Sequence, residues 1–177
     1  MNNAKIPILG FAAYSGTGKT TLLTQLIPIL KDFSLRVALI KHSHHNFEID
    51  QPGKDSYRLR QAGATPVMLI SSHRRAIISE FELIKEPELD EQLMYFDQSE
   101  LDLILVEGFK AAYFPKIELH RPSLNKPLLF PDDPNIIAIA SDHVIKIATP
   151  HRPVPLDLND PLMIAKFILT YFFKSTQ

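Results

Sequence analysis

The chain has 177 residues, 45% of them apolar and 22% charged, with a formal net charge of −1. That length suits one domain with a proper core and is short for two, so a single domain over residues 1–177 is expected. The near-neutral balance gives no ground for a general nucleic-acid or membrane-surface binder. The lack of cysteine excludes disulfides, thiolate metal sites and cysteine nucleophiles, and fits a cytoplasmic setting.

"IPILGFAA" (6–13) is apolar nearly throughout, which predicts a strand buried on both faces, not a signal peptide. "KTTLLTQLIPILKDF" (19–33) places Leu22, Leu23, Leu26, Ile27 and Leu30 at helical spacing, with a kink or early end expected at Pro28. "LRVALIKH" (35–42) predicts a second strand, and the polar 43–53 stretch with Pro52-Gly53 a loop. "KDSYRLRQAG" (54–63) predicts a short helix ending at Gly63. "TPVMLIS" and "RAIISEF" predict two strands joined by the turn "SHR", and "PELDEQLMYF" (87–96) a short helix opened by Pro87.

"LDLILVEGF" (101–109) predicts another buried strand, "KIELHR" a half-exposed one, and the four prolines of 122–134 a loop. "NIIAIASD" (135–142) predicts a further buried strand, and "DPLMIAKFILTYFF" (160–173) a last helix too short to span a bilayer. Strands alternating with helices predict an α/β fold: a mostly parallel sheet flanked by helices, with a local antiparallel pair at 66–81.

Three stretches carry chemistry. The octet "AYSGTGKT" (Ala13 to Thr20) fits G-x-x-x-x-G-K-[ST] except at its first residue. In such a loop Gly16 and Gly18 let backbone N–H groups turn toward phosphate oxygens. Lys19 supplies charge to the β- and γ-phosphates, Thr20 a hydroxyl to Mg²⁺, and the following helix its positive end. Ala13 needs only a backbone angle open to a side chain. Glu107, at the C-terminal end of its strand, is the expected metal-side carboxylate, with Gly108 giving room for the γ-phosphate; Asp102 should point away.

Asp50 is a second expected metal-shell acid, while Asp55 suits a helix terminus equally well. "KHSHH" sets Lys41, His42, His44 and His45 at the second strand's exit, where a cationic rim with Arg58, a transition-metal site or a solvated loop are all open. Asp142 stands where a carboxylate can accept from guanine N1–H and the 2-amino group, donors that adenine lacks, which favours GTP over ATP.

"FAAYSGTGKTTLL", "LIKHSHH", "DQPGKDSYRLRQAGA", "LDLILVEGFK" and "IAIASD" occur in that order. Together they resemble the bacterial molybdopterin-guanine dinucleotide biosynthesis adaptor proteins, over nearly the whole chain. The resemblance covers the alanine that opens the loop. It implies a P-loop NTPase-type fold in a single nucleotide-binding domain, a GTP-binding adaptor with weak intrinsic GTPase activity, a homodimer, and partnership with the molybdenum cofactor guanylyltransferase and other molybdenum cofactor assembly proteins. It also implies that Ser15, Gly16, Thr17, Gly18, Lys19, Thr20 and Thr21 hold GTP and Mg²⁺, with Glu107 assisting the metal. Two other functions compete: a small-molecule kinase using Asp50 or Asp55 as base, and a metal-delivery GTPase acting through His42, His44 and His45. No nucleic-acid or membrane partner is expected.

Overall fold

The computed structural model describes residues 1–43, 47–145 and 153–173. The elements are β1 (Ile8–Ala13), α1 (Lys19–Asp32), β2 (Val37–Lys41), α2 (Asp55–Gln61), β3 (Val67–Ile70), β4 (Arg75–Ile78), α3 (Leu89–Gln92), β5 (Leu103–Glu107), β6 (Lys116–His120), β7 (Ile136–Ser141), β8 (Val154–Asp157) and α4 (Pro161–Phe172). The chain forms two compact units, Met1–His42 with Glu88–Gln177, and Ser43–Pro87.

The larger unit is built on a six-stranded sheet in the order β2-β5-β1-β6-β7-β8. Every pairing in it is parallel. Such sheets are covered on both faces, which is why β1 reads apolar without alternation. On one face Leu9, Phe11, Leu105 and Ile117 pack with Leu22, Leu26 and Leu30 of α1 and Ile164 and Ile168 of α4. On the other, Ile8, Ile104 and Val106 pack with Leu89, Leu93 and Phe114. Asp160 caps α4, its Oδ1 accepting from the Met163 N–H at 2.9 Å, and Pro161 takes the first helical position, where its missing N–H costs nothing.

Two expectations are corrected, and one strand was not anticipated. First, of the kink or early end expected at Pro28, the early end does not occur: α1 runs on to Asp32. Leu26 and Leu30 flank the proline and are fully buried; burying each is worth about 1.5–3 kcal/mol, which offsets the ~3 kcal/mol an interior proline costs. Second, β6 is not half-exposed, since all five of its residues are buried. Its alternation is genuine, but its polar face lies under the proline-rich segment. There Glu118 accepts from the Leu129 and Phe130 N–H groups at 2.8 Å each. Beside it Lys116 donates to the Ala112 carbonyl at 2.7 Å and to Asp133 at 2.8 Å. Burial pushes the Glu118 carboxyl up, and the two backbone N–H groups act against that. Third, β8 is a strand that the pattern "VPLD" does not suggest; Pro155 is tolerated because β8 is the sheet's edge.

At the opposite end of the sheet from the strand C-termini, Arg36 forks onto Asp102 with two bonds of 3.0 Å. Hydrogen bonds from the Arg36 side chain and backbone hold the Asp102 carboxyl down at about 2. Asp102 thus points away from the strand ends, as its place at the start of β5 predicts.

In the smaller unit β3 and β4 pair antiparallel, the expected departure from the parallel pattern. Helix α2 ends where Gly63 takes φ +104, its N–H donating to the Arg60 carbonyl at 2.9 Å and that of Ala64 to the Leu59 carbonyl at 3.2 Å.

Candidate phosphate-binding site

The loop between β1 and α1 leaves the sheet at the C-terminal ends of β1 and β5, the edge where ligands of parallel α/β sheets bind. Ala13 is the last residue of β1, buried, with an ordinary negative φ. The opening glycine of the common pattern is not needed here. Gly16 and Gly18 do need their freedom, with φ +82 and +99, a region that costs a side-chain-bearing residue roughly 1–2 kcal/mol. Thr17 braces the turn between them, its Oγ1 and N–H both donating to the Tyr14 carbonyl, at 2.8 and 3.4 Å. No side chain caps α1, whose N-cap is Gly18 itself. Its first N–H groups therefore remain for an anion.

Lys19 reaches across the loop to Glu107, with Nζ 3.3 Å from Oε1. Lys41 approaches the other oxygen, with Nζ 3.6 Å from Oε2. Register explains the meeting: Phe11 and Lys41 are the cross-strand partners of Glu107 on its two sides. The Glu107 side chain is 14% exposed, so two ammonium groups share one sheltered carboxylate. This is an arrangement in which an arriving polyphosphate can draw the lysines off Glu107 and release the carboxylate. Glu107 and the exposed Thr20 hydroxyl are hard oxygen donors on the same edge, a pair that suits Mg²⁺, which keeps several waters and takes phosphate oxygens beside one or two protein ligands.

Gly108 has a reason nearer at hand than room for a phosphate: it takes φ +97, and a Cβ there would lie 2.7 Å from the His42 Cβ. The His42 ring stacks on Phe109 with centroids 4.7 Å apart, so this histidine serves packing at the exit of β2. His44 and His45 lie outside the described residues. Among those described, no group of three or more His, Cys, Asp or Glu is arranged to hold a metal ion.

Asp50 belongs to the smaller unit. There its Oδ1 accepts from Arg60 Nη2 at 3.0 Å, and Arg60 also bonds Glu48 and Glu80. Hydrogen bonds that Arg60 donates to Asp50 and then to Glu80 raise its pKa further. The buried Asp50 Oδ2 has no donor among the described residues.

Asp142 follows β7 directly and is held by two groups. Its Oδ2 accepts from Arg121 Nη1 at 2.7 Å and its Oδ1 meets His143 Nδ1 at 2.9 Å. Those bonds, that of His143 first, keep its carboxyl below the usual range against the effect of burial. Arg121 is the residue that the sequence pattern does not single out. Its Nε donates to the Thr17 carbonyl at 2.9 Å, which joins the phosphate loop to Asp142. Only its position directly after a strand hints at this, and many arginines share that.

Comparison with known proteins bears on this arrangement. The family model described as molybdopterin guanine dinucleotide synthesis protein B matches residues 8–142. The chain is 46% identical over 169 residues to the molybdopterin-guanine dinucleotide biosynthesis adapter protein of Haemophilus influenzae, covering 95% of this chain and 90% of that one. It is 45% identical over 172 residues to the adapter protein of that name from Escherichia coli, covering 96% and 95%. Among solved structures, a molybdopterin-guanine biosynthesis protein B superposes with a TM-score of 0.72 at 26% identity, over 93% of this chain and 99% of that one. A Bacillus subtilis protein of that family superposes with a TM-score of 0.70 at 22% identity, over 94% and 98%, a likeness of fold.

Proposed function

The chain belongs to the molybdopterin guanine dinucleotide synthesis protein B family, and on that premise we propose that it is an adapter protein of molybdopterin-guanine dinucleotide biosynthesis that binds GTP with Mg²⁺. The observation that carries the nucleotide reading is the loop itself, and Asp142 carries the choice of guanine. Two glycines at positive φ, an uncapped helix start and Lys19 meet at the C-terminal edge of the sheet, beside a sheltered carboxylate.

In this reading Ser15, Gly16, Thr17 and Gly18 turn backbone N–H groups to the phosphates, and Lys19 binds the β- and γ-phosphates. Thr20 and Glu107 serve Mg²⁺, Thr21 supports the phosphates from the first turn of α1, and Asp142 reads guanine. The molybdenum cofactor guanylyltransferase is the partner that the adapter role calls for. A homodimer belongs to the proposal as well: Met68, Ile70 and Ile77 of the antiparallel pair are each more than half exposed.

Slow hydrolysis is part of this reading, because Glu107 is tied to two lysines. Single-turnover hydrolysis of GTP is expected at rates on the order of 10⁻⁴ to 10⁻² s⁻¹. Turnover of about 1–100 s⁻¹ with phosphoryl transfer to a small acceptor would put a kinase in place of the adapter.

A further inference from the structure

Beyond the expected ligands of the nucleotide, we propose that Arg121 is a positioning residue that locks Asp142 to the phosphate loop and thereby sets guanine selectivity. The inference rests on the GTP reading above and names the device that enforces it.

The sheet register brings the three parts together. Ala13 pairs with Leu119, and His120 pairs with Ser141. The phosphate loop, Arg121 and Asp142 therefore leave neighbouring strands at nearly one level. Arg121 stands between the other two and spends its guanidinium on both: Nε on the Thr17 carbonyl at 2.9 Å and Nη1 on Asp142 Oδ2 at 2.7 Å. Its Nη2 lies 3.6 Å from where a Cβ on Gly18 would sit, so it also closes over the loop's second glycine.

A carboxylate at a strand end is ordinarily free to turn about two torsions. Here each oxygen is held, one by Arg121 and one by His143. Each oxygen keeps a further lone pair, so the pinned carboxylate can still accept from two parallel donors. Guanine presents such a pair at N1–H and the 2-amino group. The guanidinium is planar and its donors are fixed relative to one another, so it transmits the position of the loop to the carboxylate; the flexible, compact ammonium of lysine cannot. Phosphate position and base reading are thereby set by one side chain. It is about one-third exposed and belongs to none of the hydrophobic core clusters, so its replacement is expected to leave the fold intact.

The test titrates GTP, ITP and ATP, each with Mg²⁺, into wild type, Arg121→Gln, Arg121→Lys, Asp142→Asn and the Arg121→Gln/Asp142→Asn double variant. ITP lacks only the 2-amino group, so the GTP-to-ITP affinity ratio reads the orientation of the carboxylate. Wild type is expected to prefer GTP over ITP by roughly tenfold or more, the worth of one charge-assisted hydrogen bond. Arg121→Gln and Arg121→Lys should bring the ratio to about that of Asp142→Asn, and the double variant should lower it no further. A purely structural role would weaken all three nucleotides by the same factor; an unchanged ratio in Arg121→Gln, with GTP preference intact in wild type, overturns the inference alone. A wild type without GTP preference overturns both the inference and the reading beneath it.

Discussion

Lys19→Ala is expected to weaken nucleotide binding by roughly 30- to 5,000-fold, because truncating one member of a sheltered, hydrogen-bonded charge pair costs about 2–5 kcal/mol. The loss has two sources. The β- and γ-phosphates lose the cation that the loop delivers to them. Glu107 loses its 3.3 Å partner and faces the phosphates with only the more distant, more exposed Lys41 beside it. Folding should be nearly unaffected, since Lys19 is at the surface end of α1 and the core contacts of that helix begin at Leu22. Calorimetric titration with GTP, paired with thermal denaturation, checks both halves. A variant that keeps its affinity to within threefold would place the phosphates elsewhere.

Glu118→Ala carries the largest expected loss of stability, about 2–5 kcal/mol. Its two oxygens accept from the Leu129 and Phe130 N–H groups, and each sheltered donor left unsatisfied costs roughly 1–3 kcal/mol. Phe130 belongs to a small core with Ile136 and Ile139, so release of the segment also exposes β7. For a chain of this size the melting temperature should fall on the order of 10 °C. With both anchors on that segment gone, amide hydrogen exchange should rise across 122–134 before it rises in β1. A melting temperature within about 2 °C of wild type would show that water replaces the carboxylate at little cost.

The parallel core was legible because burial on both faces leaves uninterrupted apolar runs, as in "IPILGFAA" and "LDLILV". The loop was legible because its chemistry is local: the glycines, Lys19 and Thr20 lie within five residues. β6 was not, because its polar face is covered by a segment that no periodicity ties to it. Lys116, Glu118 and His120 alternate just as solvent-facing residues would. Arg121 was invisible for a related reason. Its partners Thr17 and Asp142 are 104 and 21 residues away, and only strand order makes them neighbours. Asp50 reads in sequence as a spare acid near the second strand, whereas its bond to Arg60 emerges only once α2 has formed.

The most direct test of a guanine-selective phosphate site is competition of unlabelled GTP and ATP, each with Mg²⁺, for wild-type protein loaded with a fluorescent GTP analogue. Displacement by GTP at concentrations at least tenfold below those needed with ATP is the predicted result, since adenine offers Asp142 no donor pair. Equal displacement by both, or stronger displacement by ATP, would contradict the assignment of Asp142 and with it the account of GTP as the ligand.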